Sequence, residues 1–135
     1  MTISQFSKLT TQVLDWNMFG VWLDTEGSLS SVITRMKKGD RVGQRRDYEL
    51  AVYQDEREVM EFLRDFLIKS GISHSYPYQN RRTGVWALKV YRIKDIERII
   101  QEVEPYILTL KKRLQVQKFR RFRSERYKRF SEVTN

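Results

Sequence analysis

The segment from Val13 to Gly27 constrains this chain more than any other. Val13, Leu14, Trp16, Met18, Phe19, Val21, Trp22 and Leu23 clothe a helix over about Thr11–Asp24 in apolar side chains on almost every side. A helix apolar all round must be buried, and in a chain of 135 residues part of that burial is expected against another subunit. The helix then breaks at Asp24-Thr25-Glu26-Gly27, two acids and a glycine, directly before the β-prone run Leu29–Thr34. Whatever the fold, it must deliver a buried helix with carboxylates at its end straight into a strand.

The rest of the chain alternates strand and helix signals. Tyr48–Tyr53 alternates with period two, as a half-buried strand should, and Lys37-Lys38-Gly39-Asp40 with Gly43 supplies the turn before it. Val59, Phe62, Leu63, Phe66 and Leu67 fall at helical spacing, and Gly71 ends that helix. Strands are predicted around His74–Gln79 and Val85–Tyr91. A helix follows from Lys94 with Ile96, Ile99, Ile100 and Val103, is interrupted at Pro105, and gives way to a basic closing helix. Residues 1–135 thus read as a single α+β domain of order α-ββ-α-ββ-α. Its four-stranded antiparallel sheet is expected to be saddle-shaped, with helices on one face.

Charge narrows the partner. Lys and Arg number 26 against 17 Asp and Glu, a net charge of +9 that suits a polyanion. Nearly every charged residue from Lys111 to Phe130 is basic, and Arg35–Arg46 and Arg81-Arg82 form separate basic clusters, which fit a long nucleic acid better than a membrane surface. No run approaches the roughly 18 apolar residues of a membrane span, and Met1–Gln5 lacks a secretion signal. An intracellular setting is expected, in cytoplasm, nucleoid or organelle. The absence of cysteine excludes disulfides and thiolate metal sites, and a lone histidine, His74, argues against zinc. Opposite the helices, the sheet collects Arg45, Asp47, Glu49 and Lys89 between basic tips at Lys37-Lys38 and Arg81-Arg82, a ribbon suited to a major groove. Ser30 and Thr34 of the first strand are further candidates for DNA contact.

Phe19-Gly20-Val21-Trp22-Leu23-Asp24-Thr25-Glu26-Gly27 resembles the LAGLIDADG motif of homing endonucleases, in which an apolar helix ends in acid-x-acid-Gly. The close match covers these residues and two after them, while the element order matches over nearly the whole chain. Two departures stand out. The family's small Ala-Gly pair is represented by Gly20 followed by Val21, and the final acid is Glu26 where Asp is commoner.

The resemblance implies a homodimer through the motif helix, with Trp16 and Gly20 at the interface, cutting double-stranded DNA at a near-palindromic target with magnesium. Glu26 matches the metal-binding acid. Asp24 matches the first acid, with a structural role at the helix end and secondary metal support. Gln54 resembles the residue that positions solvent at the scissile phosphate, with Asp55 as its neighbouring alternative. Lys111 resembles the lysine at the start of the last helix, with Lys112 the alternative. An intron-encoded origin is expected, with an intein the alternative. The same fold also accommodates a non-catalytic DNA-binding regulator, or a splicing helper that binds its own intron RNA.

Overall fold

The computed structural model describes residues 15–38 and 41–134; for residues 34–46 and 126–134 no side chains are described. The elements run α1 (Trp16–Glu26), β1 (Gly27–Lys38), β2 (Arg41–Gln54), α2 (Arg57–Lys69), β3 (Tyr78–Gln79), β4 (Trp86–Val90), α3 (Ile93–Val103), a 3-10 turn (Glu104–Tyr106) and α4 (Leu110–Thr134). The expected beginning of the first helix at Thr11 lies outside the described residues. Asp15 caps α1, its Oδ1 accepting from the Met18 amide at 2.9 Å.

The junction between α1 and β1 depends on Gly27. A Cβ there would lie 2.4 Å from Leu23 Cδ1 and 2.9 Å from the Leu23 carbonyl oxygen. Only a residue without a side chain lets the strand leave the helix so tightly, and the two acids of the motif are held at that corner.

The sheet order is β1-β2-β4-β3, all antiparallel. Leu29, Leu50, Val52, Leu88 and Val90 share one face through the pairs Leu29↔Leu50, Val52↔Leu88 and Leu50↔Val90. They meet Val59, Leu63 and Leu67 of α2 and Ile96, Ile99, Ile100 and Val103 of α3 in one buried cluster. On the same side, α4 lays Phe119 and Phe122 against Tyr48, with ring centroids 5.2 and 4.9 Å away. The architecture is α+β, with helices on one face of a four-stranded antiparallel sheet.

Three strands differ from expectation. The first hairpin is longer, because the register from Gly27↔Val52 continues to Lys38↔Arg41 through residues with no apolar alternation to announce it. The third strand, expected over His74–Gln79, is confined to Tyr78–Gln79. Pro77 has no amide to donate to the ladder. Upstream of it the chain is held by a mixed contact instead: the Ser75 amide donates to the Lys89 carbonyl and the Lys89 amide to Ser75 Oγ.

Candidate active site at the end of the motif helix

The two acids of Asp24-Thr25-Glu26 part company. Asp24 is buried and turned toward the start of α4. Its Oδ2 accepts from the Leu108 amide at 3.1 Å, and its Oδ1 accepts from the Thr109 amide at 3.1 Å and the Thr109 hydroxyl at 2.7 Å. Burial pushes the carboxyl pKa up, but the hydrogen bonds from Thr109 and Leu108, with the charge of Lys112, outweigh it and hold Asp24 below the ordinary carboxylate value. With both oxygens engaged inside the fold, Asp24 has little left to offer a cation. Glu26, one turn-step further on, is exposed.

Glu26 and Gln54 line one open cavity of about 420 Å³, shared with Asn17, Met18, Val21, Trp22 and Thr25. Gln54 reaches it from the last position of β2; it is buried, and its Oε1 accepts from the Asp55 amide at 3.0 Å. Asp55 is exposed and outside that lining, so the geometry favours Gln54 of the two. Among the lysines, Lys111 lies on the surface while Lys112 points inward. Burial, reinforced by neighbouring Lys111 and opposed by Asp24, lowers the Lys112 pKa. One residue is about 100° of helix, enough to exchange the two.

The residues expected at a subunit interface are engaged within the chain. A Cβ on Gly20 would stand 3.1 Å from the Cβ atoms of Val103 and Tyr106, so this glycine admits the end of α3. Trp16 packs edge-on to Phe66 and Phe19, with Arg98 over its ring. Within the subunit, the small residue of the motif serves close packing against α3 and the 3-10 turn. The uncovered face of α1 carries Asn17, Val21 and Thr25 instead, and Val21 is 54% exposed.

The sheet face away from the helices carries Ser30, Asp47, Glu49 and Lys89, as the pairs Ser30↔Glu49 and Ala51↔Lys89 require. Lys89 Nζ lies 3.4 Å from Glu49. A hydrogen bond with Tyr78, opposed by burial and joined by the Glu49 charge, raises the Lys89 pKa above the usual lysine range. Arg81 and Arg82 are exposed at the tip between β3 and β4. The side chains of Thr34, Lys37, Lys38 and Arg45 lie outside the described residues. Part of the basic charge of α4 is matched internally, Arg120 pairing with Glu104 and Arg123 with Glu97.

Sequence reasoning missed Thr109 and Gln115, whose Oε1 accepts from the Leu29 amide at 3.0 Å. It also read Trp22 as core alone. Trp22 is only 7% exposed, yet it lines the cavity, and its indole N–H has no partner among the described residues. Hydrogen-bonding groups on distant turns leave no local signature by which these three could have been found.

No family model and no curated protein matches the sequence. Solved structures do. The homing endonuclease I-TnaI is 18% identical with a TM-score of 0.62, over 80% of this chain and 70% of that one. The archaeal intron-encoded homing endonuclease I-Vdi141I, solved in complex with DNA, is 22% identical with a TM-score of 0.56, over 78% and 64%. The LAGLIDADG homing endonuclease I-LtrWI, bound to target DNA, is 20% identical with a TM-score of 0.61, over 81% and 36%. The chain has the LAGLIDADG homing-endonuclease fold. It spans 70% of I-TnaI, 64% of I-Vdi141I and about a third of I-LtrWI. In this fold, α1 and the corner at Gly27 carry the segment Phe19–Gly27 that resembles the motif.

Proposed function

We propose that this chain is a site-specific, metal-dependent endonuclease of double-stranded DNA that works as a homodimer. The observation carrying this reading is the shared cavity: on a homing-endonuclease fold, an exposed carboxylate (Glu26) and a buried amide (Gln54) meet beside the uncovered face of α1. Among the described residues no three His, Cys, Asp or Glu side chains cluster as a metal site. Glu26 is nevertheless a hard oxygen donor of the kind magnesium takes, one or two at a time, with waters and phosphate oxygens completing the shell. Two chains joined through Asn17, Val21 and Thr25 would bring two Glu26 side chains toward one axis. Two identical subunits imply two strand cuts and a near-palindromic target.

Magnesium, when bound, would polarise the scissile phosphate and offset the charge on the leaving oxygen. The protein's own residues have separable tasks. Glu26 would supply the carboxylate that holds the cation beside the phosphate. The Gln54 amide, held by the Asp55 amide at one end, orients a water beside it. Lys112 places a positive charge behind the motif corner, and the open sheet face with its basic tip at Arg81-Arg82 holds the duplex. The reading implies an intracellular protein, encoded within the kind of intron that such an enzyme would spread.

Incubating the protein and magnesium with a library of duplexes, then sequencing the cut ends, tests this directly. Glu26→Gln should fold, dimerise and bind the selected duplex as before, while single-turnover cleavage falls by orders of magnitude at any magnesium concentration. Near wild-type cleavage by that variant would remove Glu26 from the reaction.

A further inference from the structure

The sheet face that the proposed function lays against DNA is chemically divided. Toward the first hairpin it carries Asp47 opposite Val32, and Glu49 opposite Ser30, with Glu49 already paired to Lys89. Toward Gln54 it turns apolar. Tyr53↔Ala87 and Tyr78↔Ala87 form one cross-strand row over three strands, so both tyrosines and the alanine lie on the same face. Tyr53 is 36% and Tyr78 45% exposed, whereas Ala87 between them is 4% exposed, covered by its neighbours. Lys89 reaches over the Tyr78 ring, 5.5 Å from its centroid, and so limits where that ring can go. Two aromatic rings are thus left half in solvent at this end of the face, Tyr53 next in sequence to Gln54 and Tyr78 held by Lys89.

A duplex presents mainly donors and acceptors in its major groove, and the C5 methyl of thymine is its apolar feature there. We propose that Tyr53 and Tyr78, flanking Ala87, form an apolar seat for a thymine methyl close to the point of cleavage, and so determine specificity at that base pair. The inference rests on the endonuclease reading for the duplex itself. Its content is separate: Glu49 and Lys89, expected from sequence to choose bases, are matched to one another, and this stretch of the face selects by an apolar contact.

The test removes one methyl at a time. In the duplex recovered from the cleavage selection, each thymine is replaced by uracil, which pairs identically, and affinity is measured without metal. Burying one methyl group favours binding by about fourfold, hence about fifteenfold for the symmetric pair in a dimer. One symmetry-related position should show such a loss, and Tyr53→Thr/Tyr78→Thr should bind the thymine and uracil duplexes alike. The inference is overturned if no position responds in the unaltered protein, or if the double variant still discriminates. Tighter binding of the single strand than of the duplex would overturn it in favour of stacking on unpaired bases. If the duplex is bound and cut with no methyl effect, this inference alone fails; if no duplex is bound selectively, the endonuclease reading fails with it.

Discussion

Replacing Asp24 by Asn separates the two acids of the motif. Asp24 accepts three donations at 3.1 Å or less, from the Leu108 amide, the Thr109 amide and the Thr109 hydroxyl, inside a buried corner. Asparagine keeps one acceptor oxygen but turns an NH2 toward at least one backbone amide, leaving donor against donor. Hydrogen bonds to a charged acceptor contribute about 1.5–3 kcal/mol each and are not additive, and an acid near a helix N-terminus adds about 0.3–1 kcal/mol. A loss of about 2–4 kcal/mol is expected, or about 6–15 °C in melting temperature for a domain of this size. The difference should also depend on pH. A carboxyl whose pKa is lowered by folding contributes its stability above the unfolded value of 3.8 and loses it as pH falls through the lower folded value, so the variant and the wild type should converge in acid. Calorimetry across pH on both proteins gives the answer. A variant that melts within about 2 °C of wild type but no longer cuts would refute this account and return Asp24 to the metal.

Val21→Glu, on the uncovered face of α1, should leave the melting temperature of the subunit nearly unchanged and convert a dimer to a monomer in light scattering. A dimer that survives this change must use another surface. Gly20→Leu should act differently, because the added side chain meets Val103 and Tyr106 of its own chain; overpacking of this kind costs about 1–3 kcal/mol, read as a lower melting temperature. Should Gly20→Leu weaken association with no loss of subunit stability, the packing described for Gly20 is wrong.

How much of this was legible in the sequence depends on whether a residue's surroundings are local. The acidic corner was readable because Phe19 to Gly27 carries helix, terminus and strand entry in one short run. The position of Gln54 at the end of β2 was readable from the alternation of Tyr48–Tyr53 before it. The packing of Gly20 against Val103 and Tyr106 was not, because a helix apolar on every side gives no sign of which side its own chain covers. Lys111 and Lys112 differ by one step of the helix, and only the docking of α4 decides which turns inward. The early end of the third strand was in principle visible at Pro77, whose missing amide halts the ladder. Exposed tyrosines look like core residues in a sequence, since the alternation that puts them on a sheet face does not say whether that face is covered.

The partners of the motif corner come from far along the chain. Asp24 is held by residues 84 and 85 positions later, and near the start of β1 the Leu29 amide donates to the side-chain oxygen of Gln115, 86 positions away. During synthesis the motif helix therefore leaves the ribosome long before the segment that fixes its acids. Until Leu108 to Gln115 has emerged, Asp24 is a charge without its donors and Glu26 has no fixed corner to project from. A growing chain would carry the whole motif and still lack the finished corner, which is complete only once the last helix docks.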